Sequence, residues 1–148
     1  FVKAGLEVPP LTPKSYDELA TFFTLVGASC RNPIDPGSNW NQLKPIMEII
    51  EQDPNIDNIV LLVFSATRLL PPKLLENYLS TVVNMKGNAS KPTLAIIPYL
   101  SVPEDMKQAK SIAQKFEGSG IPTFDNIERA ARVLRNALDY YSFKRSIE

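Results

Sequence analysis

The 148-residue chain has no histidine and a single cysteine, Cys30. Lacking histidine, it has no imidazole for acid–base work, no phosphohistidine and none of the usual zinc ligand sets. One cysteine allows no internal disulfide. No histidine or basic pair marks Cys30 as activated, so it reads as an inert thiol. Surplus charge is also missing: Lys plus Arg number 16 and Asp plus Glu number 16. That balance argues against a nucleic-acid partner, which selects a basic surplus. Long apolar runs are absent too. The longest, residues 59–64, has strand length and falls far short of the ~20 residues of a membrane-crossing helix. No signal-peptide pattern opens the sequence, and the expectation is a cytoplasmic protein with no membrane partner.

What is present is a core-forming composition, 44% apolar, with an unusual 13 prolines. Disorder is excluded by the first figure. Most of the prolines fall at element boundaries, where the missing N–H costs least. Residues 1–40 read as a proline-rich lead-in with a short helix, residues 41–148 as an α/β core, and 1–148 as one domain. In the lead-in, Val2 to Leu6 looks like a helix end closed by Gly5. Ser15 and Glu18 have capping-box spacing ahead of Leu19, Phe22 and Phe23. Residues 27–37 read as a loop holding one short extended piece, 32–35, marked by Pro33 as an edge strand.

Beyond Trp40 the pattern is regular. Leu43, Ile46, Met47 and Ile50 share a helix face. Asn58 to Phe64 is a continuous apolar run that suits a parallel strand covered on both faces. Pro71 and Pro72 open a helix with the stripe Leu74, Leu75, Tyr78, Leu79, Val82 and Val83, stopped by Gly87. Lys91 to Pro98 is a second buried strand. Ser101 and Glu104 have capping-box spacing before a helix carrying Met106, Ala109, Ile112, Ala113 and Phe116. Ile121 to Phe124 is a short third strand. Asp125, with Glu128 three residues on, is placed to cap a last helix bearing Ile127, Ala130, Ala131, Leu134, Leu138 and Tyr141. The alternation predicts an α/β domain: a parallel sheet with helices on both faces. In that architecture ligands sit at the carboxyl ends of strands. Residues 32–39, 64–70 and 98–103 are therefore the segments to watch.

Four segments carry a family resemblance: R-N-P-I-D-P-G at 31–37, D-P-N-I-D-N-I-V-L-L-V-F at 53–64, K-P-T-L-A-I-I at 91–97, and G-I-P-T-F-D-N-I-E-R-A-A-R-V-L at 120–134. In this order they resemble the ligase-CoA domain of NDP-forming acyl-CoA synthetases. That domain is similar to the carboxy-terminal domain of the succinyl-CoA synthetase β subunit. The resemblance implies a flavodoxin-like fold. It implies a part in the reaction acid + CoA + ATP ⇌ acyl-CoA + ADP + phosphate, run through a phosphohistidine on another domain. CoA and ATP/ADP with Mg would then belong to the parent enzyme, with none held tightly by this chain alone. The implied partners are a histidine-bearing domain and an ATP-grasp domain. Family members open this domain with a strand and a T-N-x-G-G-x-G loop, which this sequence lacks, and have D-L-T-G or D-V-G-G where it has D-P-G-S. The sequence is accordingly read as a piece of a larger protein whose first strand comes from a separate segment. On that reading 32–35 is the second strand of the domain and 58–64 the third.

Two loops are candidates for contact with phosphate or substrate. In the first, Asn32, Asp35, Gly37 and Ser38 follow the extended piece; Gly37 would let the backbone approach an anion. The same residue types make ordinary turns. In the second, Ser65, Ala66, Thr67 and Arg68 follow the central strand; small residues permit close approach and Arg68 offers a cation. A helix-start loop capped by Ser65 or Thr67 is the plain alternative. Arg129, Arg132 and Arg135 read as a solvated helix face, with Arg132 paired to Glu128. At the level of the whole chain the alternative is a non-catalytic flavodoxin-like binding or regulatory module, such as that of a synthetase–acyltransferase fusion.

Overall fold

A computed structural model of the chain describes residues 1–66, 72–87, 90–99 and 101–147. Three strands, β1 (Ile59–Leu62), β2 (Thr93–Ile96) and β3 (Thr123–Phe124), form a parallel sheet in the order β1-β2-β3. Ile59 pairs with Thr93 and Leu62 with Ile96; Ala95 pairs with Thr123. The helices are α1 (Pro13–Ala20), α2 (Leu43–Gln52), α3 (Pro72–Lys86), α4 (Pro103–Gly118) and α5 (Ile127–Ile147), with short 3-10 turns at Val2–Ala4 and Trp40–Gln42. This is the parallel α/β sheet that the alternating pattern predicts, consistent with the flavodoxin-like class that the resemblance implies.

Side-chain alternation along the strands assigns the layers. Ala95 and Ile97 point to one face with Val63. There they pack against Met47 of α2, Val82 of α3, and Ile112 and Phe116 of α4. Phe116 is fully buried, worth about 3 kcal/mol relative to exposure. Leu94 and Ile96 point to the other face and meet Ala130 and Leu134 of α5 and Phe1. A third cluster joins Leu19 of α1, Phe23, Ile46 of α2, Ile56 and Ile59. Helices therefore cover both faces, and the apolar runs at 58–64 and 91–98 are adjacent parallel strands as predicted.

Several boundaries differ from the sequence reading. Asn32 to Asp35 is not a strand of the sheet. Asp35 makes one antiparallel bridge to Ser29, with paired bonds of 2.8 Å, and the chain turns back between them. The Pro33 ring removes a donor there, and among the described residues only the Asp35 and Arg31 amides of this stretch find partners, both on Ser29. Helix α1 is capped by Thr12, whose hydroxyl oxygen accepts from the Ser15 amide; Ser15 itself is buried inside the helix. Helix α4 starts after Val102 with Pro103 as its first residue and has no side-chain cap, so Ser101 does not form the predicted box. At α5 it is Asn126, not Asp125, whose Oδ1 accepts the Arg129 amide at 2.8 Å. The predicted closure at Gly5 holds: it is left-handed at φ 76° and donates its amide to Val2 O. No described helix is long and apolar enough to cross a membrane.

Candidate functional site

Three of the four motif segments meet in one frame at the amino ends of the strands. Asp53 closes α2 and is almost completely buried. Its carboxylate accepts from the Thr12 amide (2.8 Å), the Thr12 hydroxyl (3.0 Å) and the Asn55 amide (2.8 Å). Its own carbonyl accepts from Lys91 Nζ at 2.6 Å, and the same ammonium reaches Ile50 O at 2.9 Å. Pro92 O then takes the Ile59 amide, and Pro122 O takes the Ala95 amide, both at 2.9 Å. The D-P, K-P and I-P motifs thus start the three strands and bind them to one another.

Electrostatics at this end follows from those donors. Burial raises the Asp53 carboxyl, but hydrogen bonds from Ser15, Thr12 and Asn55 outweigh it and hold the group below its ordinary value. Burial likewise raises Glu51, while the Ser90 hydroxyl and the Ser90 and Lys91 amides bring it below its usual range. These residues carry structure rather than chemistry, because the ligand edge of a parallel sheet is the opposite one. Sequence reading ends the helix before β1 at Asp53-Pro54-Asn55, as the structure does, and quotes Lys91 only as part of a motif; that the two join the strands together was missed. The signal was there in a D-P-N turn abutting an apolar run, with a lysine opening the next strand.

The first candidate loop is internally bonded. Asn32 Nδ2 donates to Pro9 O at 2.8 Å, and Asp35 Oδ1 accepts the Gly37 amide at 3.0 Å. Gly37 sits at φ 49°, and a Cβ there would overlap the Gly27 carbonyl and lie 2.7 Å from Ala28 Cβ. Ser38 is exposed. Neighbouring Asn39, which the sequence did not single out, is buried and exchanges bonds with Thr24 N and O and with Pro36 O. It pins the loop ahead of Trp40, which sets its ring edge on Tyr78 at 5.9 Å.

The second loop starts past the carboxyl end of β1. Ser65 is fully buried, its carbonyl accepts from Gln108 Nε2 at 3.2 Å, and among the described residues its hydroxyl has no hydrogen-bond partner. Ala66 is half-buried. Thr67 and Arg68 lie outside the described residues. Among the described residues, no hydrogen bond joins 32–38 to Ser65 or Ala66; the link is packing, since Trp40 lies against the cluster that holds Val63. The Ser65 hydroxyl is an orphan donor with no exposed surface, so in this conformation it does not meet a phosphate-bearing group from outside.

The arginines of α5 serve the helix. Arg129 pairs with Asp125 at 3.1 Å, and Arg135 pairs with Asp139 and donates to Gly5 O at 3.0 Å. The predicted Glu128–Arg132 pair is replaced by these two. A separate cleft of about 820 Å³ opens beside β1 between the amino-terminal turn and α5.

No family model matches the chain, and no curated protein does. Among solved structures it is similar to the crystal structure of PH0766 from Pyrococcus horikoshii OT3, with a TM-score of 0.70 and 24% identity. The match covers 90% of this chain and 30% of that one, so the chain spans less than a third of the protein it resembles. That likeness establishes the α/β fold.

Proposed function

We propose that this chain is a ligase-CoA module of an NDP-forming acyl-CoA synthetase and acts in the cytoplasm. It forms one wall of a phosphohistidine and acyl-CoA site whose histidine and ATP-grasp parts lie on other domains. The observation that supports this reading most is the connected frame. Three of the four motif segments are bonded to one another through Lys91, Pro92 and Pro122. The fourth shares a cluster with Ile59 through Ile34. The loops at 35–38 and 65–66 contribute backbone and small side chains, while CoA, ATP and Mg are held by the parent enzyme. With no histidine, this chain has no phosphoryl carrier of its own.

The test is complementation. The parent polypeptide should form acyl-CoA from a short acid, CoA and ATP. The 1–148 chain alone should give only background nucleotide turnover. Deleting 1–148 from the parent should abolish acyl-CoA formation, and unchanged turnover after the deletion would refute the reading.

A second reading, a non-catalytic binding or regulatory module, is favoured by the self-satisfied first loop. Asn32 and Asp35 spend their side chains on Pro9 and Gly37. The Asp35→Ala variant of the parent separates the two. A fall in turnover larger than the fall in thermal stability supports the enzyme, and a fall in stability alone supports the module.

A further inference from the structure

Helix α5 carries two apolar faces, where a surface helix ordinarily has one apolar stripe and a polar back. On one face Ala130 and Leu134 pack against Leu94 and Ile96 of β2. On the far side lie Val133, Tyr140, Phe143 and Ile147, which are 48%, 61%, 62% and 68% exposed. With Asn136 they follow one another at steps of three, four, three and four residues. That is the a/d repeat of a coiled-coil seam. Every residue from 139 to 147 is exposed, so the end of α5 stands largely in solvent. The flanks of the seam carry opposite charges. Asp139 stands beside it on one side and Lys144 on the other, five positions later.

We infer that this seam pairs with the same seam of a second copy of the chain, as a short parallel coiled coil that makes a weak two-fold dimer. In parallel register each seam residue meets its own copy, the closed arrangement of a two-fold axis. A flank residue then faces the position five further on in the copy, which sets Asp139 against Lys144 twice over. Arg132 faces Ala137 in the same way, so no like charges meet. Asn136 meets Asn136, and its amide both donates and accepts across the axis. Antiparallel pairing of Tyr140 with Phe143 instead lays Lys144 against Ala137 and makes no ion pair. Charge complementarity thus selects both the occupant and its direction. The two domains stay apart, because the sheet side of α5 is turned away from the seam. From Val133 to Ile147 the helix is about 21 Å long. That falls short of the roughly 800 Å² per partner of a standard interface, which makes the dimer weak. The inference stands on the helix surface and does not depend on the enzymatic reading above.

Sedimentation equilibrium of the whole chain should show monomer and dimer in exchange, with a Kd of about 10 µM to 1 mM. Phe143→Lys and Tyr140→Lys change exposed positions, so far-UV circular dichroism should stay the same while Kd rises at least about tenfold. Lys144→Asp sets like charges on both flanks and should raise Kd about three- to fivefold. Adding Asp139→Lys should bring it back to within about twofold of the parent value. Asn136→Cys in a Cys30→Ala background should give a disulfide-linked dimer on mild oxidation, since parallel pairing brings the two thiols within reach. A chain that is still monomeric at about 1 mM overturns the inference. So does a dimer that Phe143→Lys and Tyr140→Lys leave intact, because its contacts lie elsewhere. Failure of the charge rescue together with absence of the cross-link means that the helices do not run parallel, and overturns it as well.

Discussion

Asp53 shows how much of this fold rests on single polar residues. Its carboxylate accepts two bonds from Thr12, distant in sequence, and one from Asn55 close by, and its carbonyl anchors Lys91. Asp53→Ala leaves the Thr12 and Asn55 amides without partners and should cost roughly 2–4 kcal/mol, measured by urea unfolding. The pH dependence has a definite sign. The folded-state value lies below the ordinary 3.8, so the stabilisation is complete above that value and is lost as pH falls below it. Asp53→Asn should flatten the acid limb of a stability–pH curve, and an unchanged limb would show that the carboxylate is not what titrates. Gly37→Ala faces both a positive φ and a carbonyl in the way, and should destabilise by about 1–3 kcal/mol.

Elements were legible in the sequence where packing decides, and less so where local polar groups compete. The stripes of α2 and α3, and most of those of α4 and α5 and of the two apolar runs, are buried where periodicity puts them, because burying them is the dominant free-energy term; Met106, Ile127, Tyr141, Leu62 and Phe64 are the exposed exceptions. Caps went astray. Ser15, Ser101 and Asp125 each stand three residues before a glutamate, a spacing that makes a box only if the backbone enters the helix there. Pro13 and Pro103 instead fix the first helical turn one residue after Thr12 and Val102. Asn126 outcompetes Asp125, whose carboxylate is engaged by Arg129. Asn126→Ala should therefore cost about 1 kcal/mol, and Asp125→Ala less, in paired thermal melts. The candidate loops were legible only as turns. Nothing local in N-P-I-D-P-G reveals that Asp35 would bridge back to Ser29, which is a property of the whole lead-in.

At the scale of the whole molecule the buried frame couples the lead-in to the sheet. Asp53 takes two bonds from Thr12 ahead of α1, and its carbonyl holds Lys91 ahead of β2. Lys91→Met keeps the length of the side chain and removes both carbonyl contacts, so it should cost about 1–3 kcal/mol in urea unfolding. Small single domains lose structure in one cooperative step, so near-UV and far-UV circular dichroism should shift together. Two separate transitions in the variant would show that the lead-in and the sheet unfold independently once the contact between Asp53 and Lys91 is gone.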